Sequence, residues 1–128
     1  KAHEIAYEEL DALRQKQLWQ SQQFKIYYTE LTEILRRYIS NRYSIDAMEQ
    51  TSDEVVNQFR QDKELRDKKE EIKLLADVLQ LADLVKFAKW QPLPDECERS
   101  FHQVTQFVDQ TKEVIVENKE DGAMSRER

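Results

Sequence analysis

An all-α fold, built as a single-domain bundle of about five helices, is what three features of this sequence predict. Apolar residues recur at the three-and-four spacing of one helix face through most of the chain. A single glycine, Gly122, occurs among 128 residues, whereas hairpins and phosphate-cradling loops lean on glycine for positive φ or close backbone approach. Both prolines stand together, Pro92 and Pro94, where they separate two periodic runs. The length suits one domain able to bury a real core, expected over residues 1–116, with a polar tail over 117–128.

Taken in order, Ile5, Ala6, Leu10 and Leu13 form a stripe within a glutamate-rich segment and predict a first helix from about residue 3 to about residue 20. From Phe24 the apolar positions run Tyr27, Tyr28, Leu31, Ile34, Leu35, Tyr38 and Ile39, one continuous helix face. The segment "SIDAMEQ", residues 44–50, breaks that period and offers Ile45, Ala47 and Met48 as plugs under a loop. Thr51 followed by Glu54 is a capping box: the hydroxyl takes the amide of Glu54 while the carboxylate takes that of Thr51. A short helix carrying Val55, Val56 and Phe59 starts there.

"RQDKELRDKKEE", residues 60–71, is charged enough to end that helix and open the next. The following run to Trp90 is apolar around most of its circumference, with Leu74, Val78, Leu81 and Val85 on one side and Leu75, Leu79 and Ala82 on another. It is expected to be the central helix. Pro92 and Pro94 lack amide hydrogens and push the preceding residues out of the α region, so this helix stops near Trp90. Asp95 with Glu98 offers a second capping box, opening a last helix with Cys97, Phe101, Val104, Val108, Thr111 and Ile115 along one stripe.

The chemistry-bearing residues are sparse. A lone cysteine excludes an intramolecular disulfide and a cysteine-built zinc site. At a helix start Cys97 has the position of an activated nucleophile, but His102 is displaced by more than a turn and no orienting group is apparent, so no catalytic residue is assigned. No HExxH or Glu-x-x-His motif supports a metal, no glycine-rich loop supports a nucleotide, and no cofactor is expected. The net charge of −6 disfavours nonspecific binding to nucleic acid or anionic lipid. No run of about 18 apolar residues is present. Because the chain opens on Lys1, it is expected to be a piece of a longer protein.

Two groups remain as candidate partner-binding residues. "RRYISNRY", residues 36–43, places Arg36, Arg37 and Arg42 among aromatics, suited to an acidic partner or, less well given the charge, to phosphates in a helix-turn-helix variant. Trp90 and Leu93 at the proline corner either pack beneath it or stand out as a partner's anchor, tryptophan being enriched at interface hot spots.

The segments "EELDALRQKQLWQ", "KIYYTELTEILRRYISNRYSIDAMEQTSDEV" and "LADLVKFAKWQPLPDECERSF" with "FVDQT" carry a resemblance that covers residues 3 to 112. They are similar to the soluble C-terminal region of an uncharacterised bacterial membrane-protein family encoded in Bat (aerotolerance-type) operons, beside a MoxR-type AAA+ ATPase and von Willebrand factor A proteins. The resemblance implies a membrane-tethered parent with this domain on the cytoplasmic face of the inner membrane, and it brings no reaction and no catalytic residues. The expectation is a non-enzymatic protein-interaction module whose first partner is the MoxR-type ATPase. A helix-turn-helix-like nucleic-acid-binding domain and a small-ligand sensor are the alternatives.

Overall fold

The second and fourth helices between them touch every other helix. The computed structural model describes residues 1–114, with α1 (Ala2–Gln15), α2 (Phe24–Tyr43), α3 (Ser52–Gln61), α4 (Lys69–Phe87) and α5 (Pro94–Thr111), and a 3₁₀ turn at Ala47–Glu49. The described residues contain no strand and share one hydrophobic core, so the fold is an all-α, single-domain bundle. Ile115 and the expected polar tail lie outside the described residues.

Every apolar residue of the α2 stripe from Tyr27 to Ile39 is buried, and Phe24 is half-buried. α2 touches α1, the 3₁₀ turn, α4 and α5, whereas α4 touches α2, α3 and α5. α4 is thus packed by neighbours on both flanks, as expected, and α2 shares the centre of the bundle with it. The tyrosines of α2 make its long-range bonds. Tyr27 Oη donates to the Cys97 carbonyl at 3.1 Å, Tyr28 Oη pairs with Ser100 Oγ at 2.9 Å, and Tyr38 Oη pairs with Thr111 Oγ1 at 2.8 Å. A tyrosine fills core volume and still brings a polar tip to a distant element, so α2 is fixed to both ends of α5. Burial pushes all three phenols above their ordinary pKa of 10.0, which keeps them protonated at neutral pH.

α1 ends at Gln15, short of the expected end near residue 20. Continued as a helix, the chain would carry polar Gln17 onto the apolar face and swing Leu18 and Trp19 off it to either side. Instead Gln17 and Gln22 take left-handed backbone (φ 51° and 64°), and the Gln23 amide donates to the Leu18 carbonyl at 2.8 Å. Leu18 and Trp19 thereby fold back, half-buried, onto the core.

After α2, Ser44 in left-handed backbone turns the chain, Ala47 is buried and Ile45 half-buried. Met48 is not a plug. It is 42% exposed, because the tight 3₁₀ turn that buries Ala47 directs the next residue outward. The Thr51 box forms as read, with Glu54 N donating to Thr51 Oγ1 at 3.2 Å and Thr51 N donating to Glu54 Oε1 at 2.8 Å.

α5 starts at Pro94, with Leu93 as its N-cap, so the expected Asp95 and Glu98 box does not form. Proline suits the first helical position because its missing amide would have no intrahelical acceptor there. The third helical residue is then Glu96, and its Oε1 accepts the Leu93 amide at 2.8 Å. Glu96→Ala and Thr51→Ala are each expected to lower stability by about 1 kcal/mol, whereas Asp95→Ala loses only its attraction to the helix dipole, about 0.5 kcal/mol. Urea denaturation of the three variants checks this. Equal losses for Asp95→Ala and Glu96→Ala would contradict the assigned start.

Candidate functional site

The proline corner between α4 and α5 leaves a run of apolar side chains in solvent. α4 stops at Phe87, Lys89 takes left-handed backbone (φ 59°), and the Trp90 amide donates back to the Leu84 carbonyl at 3.1 Å. That bond folds Trp90 over the last turn of α4. Pro92 is buried and anchors the corner from below. Glu96 ties it from α5, accepting the Leu93 amide at 2.8 Å and Trp90 Nε1 at 3.4 Å on the same oxygen. On the α2 side, Lys86 Nζ donates to Thr32 Oγ1 at 3.2 Å, and burial lowers the lysine's pKa from its ordinary value.

The result is a rigid backbone bearing exposed apolar groups. Leu84 is 48% exposed, Phe87 78%, Trp90 48% and Leu93 65%. Leu84 and Phe87 are one helical turn apart on α4, the Trp90 amide bonded to the Leu84 carbonyl brings Trp90 back to that turn, and Leu93 follows where the corner enters α5. A groove of about 320 Å³ between α4 and α5, floored by Leu81 and Leu84 and rimmed by Glu96, Arg99 and Gln103, extends it.

Trp90 and Leu93 are therefore brought together, and the three arginines are not. Arg36 turns inward, its Nη1 donating to the Ala47 carbonyl at 2.9 Å and to the Gln50 carbonyl, and its Nη2 to Ser52 Oγ at 3.2 Å. Burial lowers its pKa, partly opposed by nearby Asp83. Arg37 pairs with Glu9 at 2.6 Å. Arg42 Nε donates to the Thr111 carbonyl at 2.8 Å, with its guanidinium stacked 4.6 Å from the Tyr43 ring. The expectation of one exposed arginine patch is corrected: Arg36 and Arg42 turn to carbonyls of the 44–52 connection and of the end of α5, while Arg37 stays half-exposed in an ion pair with Glu9 of α1. Leu84 and Phe87 were missed. Their signal was the spacing of three from Leu84 through Phe87 and Trp90 to Leu93, concealed by an α4 that is apolar nearly all round.

Cys97 is wholly buried, and burial pushes its thiol pKa up to about 11, so it is held as an unreactive thiol at neutral pH. A smaller cavity of about 150 Å³ lies under the 16–22 turns, lined by Leu18, Trp19, Tyr27 and Phe101, with Arg14 at its rim paired to Asp11 at 3.1 Å. Among the described residues no cluster of three or more His, Cys, Asp or Glu side chains is arranged to hold a metal, and no helix is long and apolar enough to cross a membrane. Comparison of the chain with protein-family models, with curated proteins and with solved structures finds no match.

Proposed function

We propose that this domain is a non-enzymatic protein-interaction module that binds through the α4–α5 corner. The carrying observation is the patch of Leu84, Phe87, Trp90 and Leu93, exposed on a backbone that Glu96, Pro92 and the Trp90 amide hold in place. The fold gains little from leaving these side chains in water. Covering what remains exposed of them contributes roughly 4–7 kcal/mol before the cost of association, enough to anchor a partner but not to hold it tightly alone.

The resemblance to the Bat-operon membrane-protein family supplies the setting. In this reading the domain hangs from a membrane tether on the cytoplasmic face of the bacterial inner membrane and recruits the MoxR-type AAA+ ATPase encoded beside it. The internal commitment of Arg36, Arg37 and Arg42 removes the support those residues lent to a helix-turn-helix reading.

Calorimetric titration of the domain with the purified ATPase tests the proposal. Trp90→Ser combined with Leu93→Ser is expected to weaken binding at least about tenfold, as loss of a central aromatic anchor does, with the helical circular-dichroism spectrum retained. Equal affinity for wild type and variant, or no binding by the wild type, contradicts it.

A further inference from the structure

The groove between α3 and α4 combines a basic rim with an apolar floor, and we infer that it receives an acidic amphipathic segment of a partner protein. Its volume is about 410 Å³. Arg60 from the last turn of α3, Arg66 from the connection, and Lys69 and Lys73 from the first turns of α4 line it. Ile72 and Ala76, 5% and 7% exposed, show only their edges at the floor, beside the methylene stems of Arg60, Lys69 and Lys73. The one carboxylate in the lining is Asp77, and its Oδ2 already accepts from Lys73 Nζ at 3.0 Å. Arg60, Arg66 and Lys69 form no ion pair among the described residues. Asp62, close by in sequence, accepts the amides of Glu64 and Leu65 on Oδ1 at 2.8 and 3.2 Å and forms no ion pair among the described residues.

Four cations gathered on one groove repel one another, and in a chain of net charge −6 the gathering stands against the overall balance. A ligand bearing carboxylates removes that repulsion and gains from it. The floor decides the ligand's other face. Ile72 and Ala76 offer nothing to a phosphodiester backbone, and the acidic remainder of the surface repels a long polyanion. A helix with acidic residues three or four apart and leucine-type residues between them meets both features at once. From Lys69 to Gln80 the wall of α4 rises about 16 Å, the length of about 11 helical residues. Trp90 and Leu93 take no part in this groove, so the inference stands or falls separately from the corner.

Fluorescence anisotropy with a labelled synthetic peptide tests it. The probe is a helix-forming peptide of about 14 residues with four glutamates along one side and two leucines beside them, compared with its glutamine analogue. The domain is expected to bind the acidic peptide at least about tenfold more tightly than the analogue at roughly 50 mM salt, and the preference shrinks at higher salt. Arg60→Glu with Arg66→Glu removes the preference, Arg60→Gln with Arg66→Gln reduces it while conserving side-chain size, and Trp90→Ser leaves it intact. Circular dichroism confirms that each variant is folded. Absence of binding, equal binding of the two peptides, or a preference retained by both arginine variants overturns the inference. Tighter binding of a thymidine oligonucleotide than of the acidic peptide overturns it in favour of nucleic acid.

Discussion

Leu79→Ala is expected to lower the stability of the domain by roughly 2–4 kcal/mol, within the range for deleting a fully buried leucine. Leu79 is 1% exposed and sits on α4, which is enclosed by α2, α3 and α5. Two terms contribute: the lost transfer free energy of three carbons, and the void left where neighbouring helices cannot close up. The second term is moderated here. Leu79 borders a shallow groove shared with Ser52, Val56 and Arg60, and side chains from that groove can relax toward the vacancy. The cost therefore falls short of the upper limit for a sealed core. Urea denaturation with a constant m-value checks it. A loss under about 1 kcal/mol would place α4 at the surface and contradict the packing described.

Arg36→Met is expected to cost roughly 2–4 kcal/mol, although arginine-to-methionine at a surface site is close to neutral. The substitution keeps an unbranched stem and removes the guanidinium. Three acceptors then lose their donor: the carbonyls of Ala47 and Gln50 and the hydroxyl of Ser52. They lie in the 3₁₀ turn, at the residue that ends it and in the first turn of α3, so the loss releases the 44–52 connection from α2. Ala47, fully buried within that connection, is loosened with it. Arg37→Met serves as the comparison, since its single partner Glu9 is part-exposed and surface pairs contribute about 0–1 kcal/mol. Equal effects at the two positions would mean that water replaces the Arg36 guanidinium without cost.

Elements whose signals are local were legible in the sequence. The α2 stripe, the Thr51 box and the proline corner each announce themselves within one or two turns of chain, and all three are present. What could not be read depends on tertiary partners or on conformations that sequence composition disfavours. With no glycine before Gly122, nothing marked Gln17, Gln22, Ser44 or Lys89 as left-handed, yet all four adopt it. Each such residue stores a cost of about 1 kcal/mol that surrounding contacts must hold in place. Glu96 outcompeted Glu98 because Pro94 occupies the first helical position, a preference visible only once the helix start is known.

The candidate site divides along the same line. Trp90 and Leu93 were picked out as uncommon residues at a corner, and they are exposed there. Charge and periodicity place Arg36 off the apolar stripe, as befits a surface cation; its inward turn follows from acceptors eleven to sixteen residues away. Sequence spacing alone carries no record of them.

Trp90 itself reports most directly on whether the corner is a binding surface. The chain has two tryptophans, so Trp19→Phe leaves Trp90 as the only indole. In the free domain its emission is expected to be red-shifted and open to quenching by iodide, as its 48% exposure requires. Addition of the purified MoxR-type ATPase is predicted to shift the emission to the blue and to shield Trp90 from iodide. Emission and quenching that stay unchanged while the ATPase is bound would contradict the assignment of the α4–α5 corner as the partner surface.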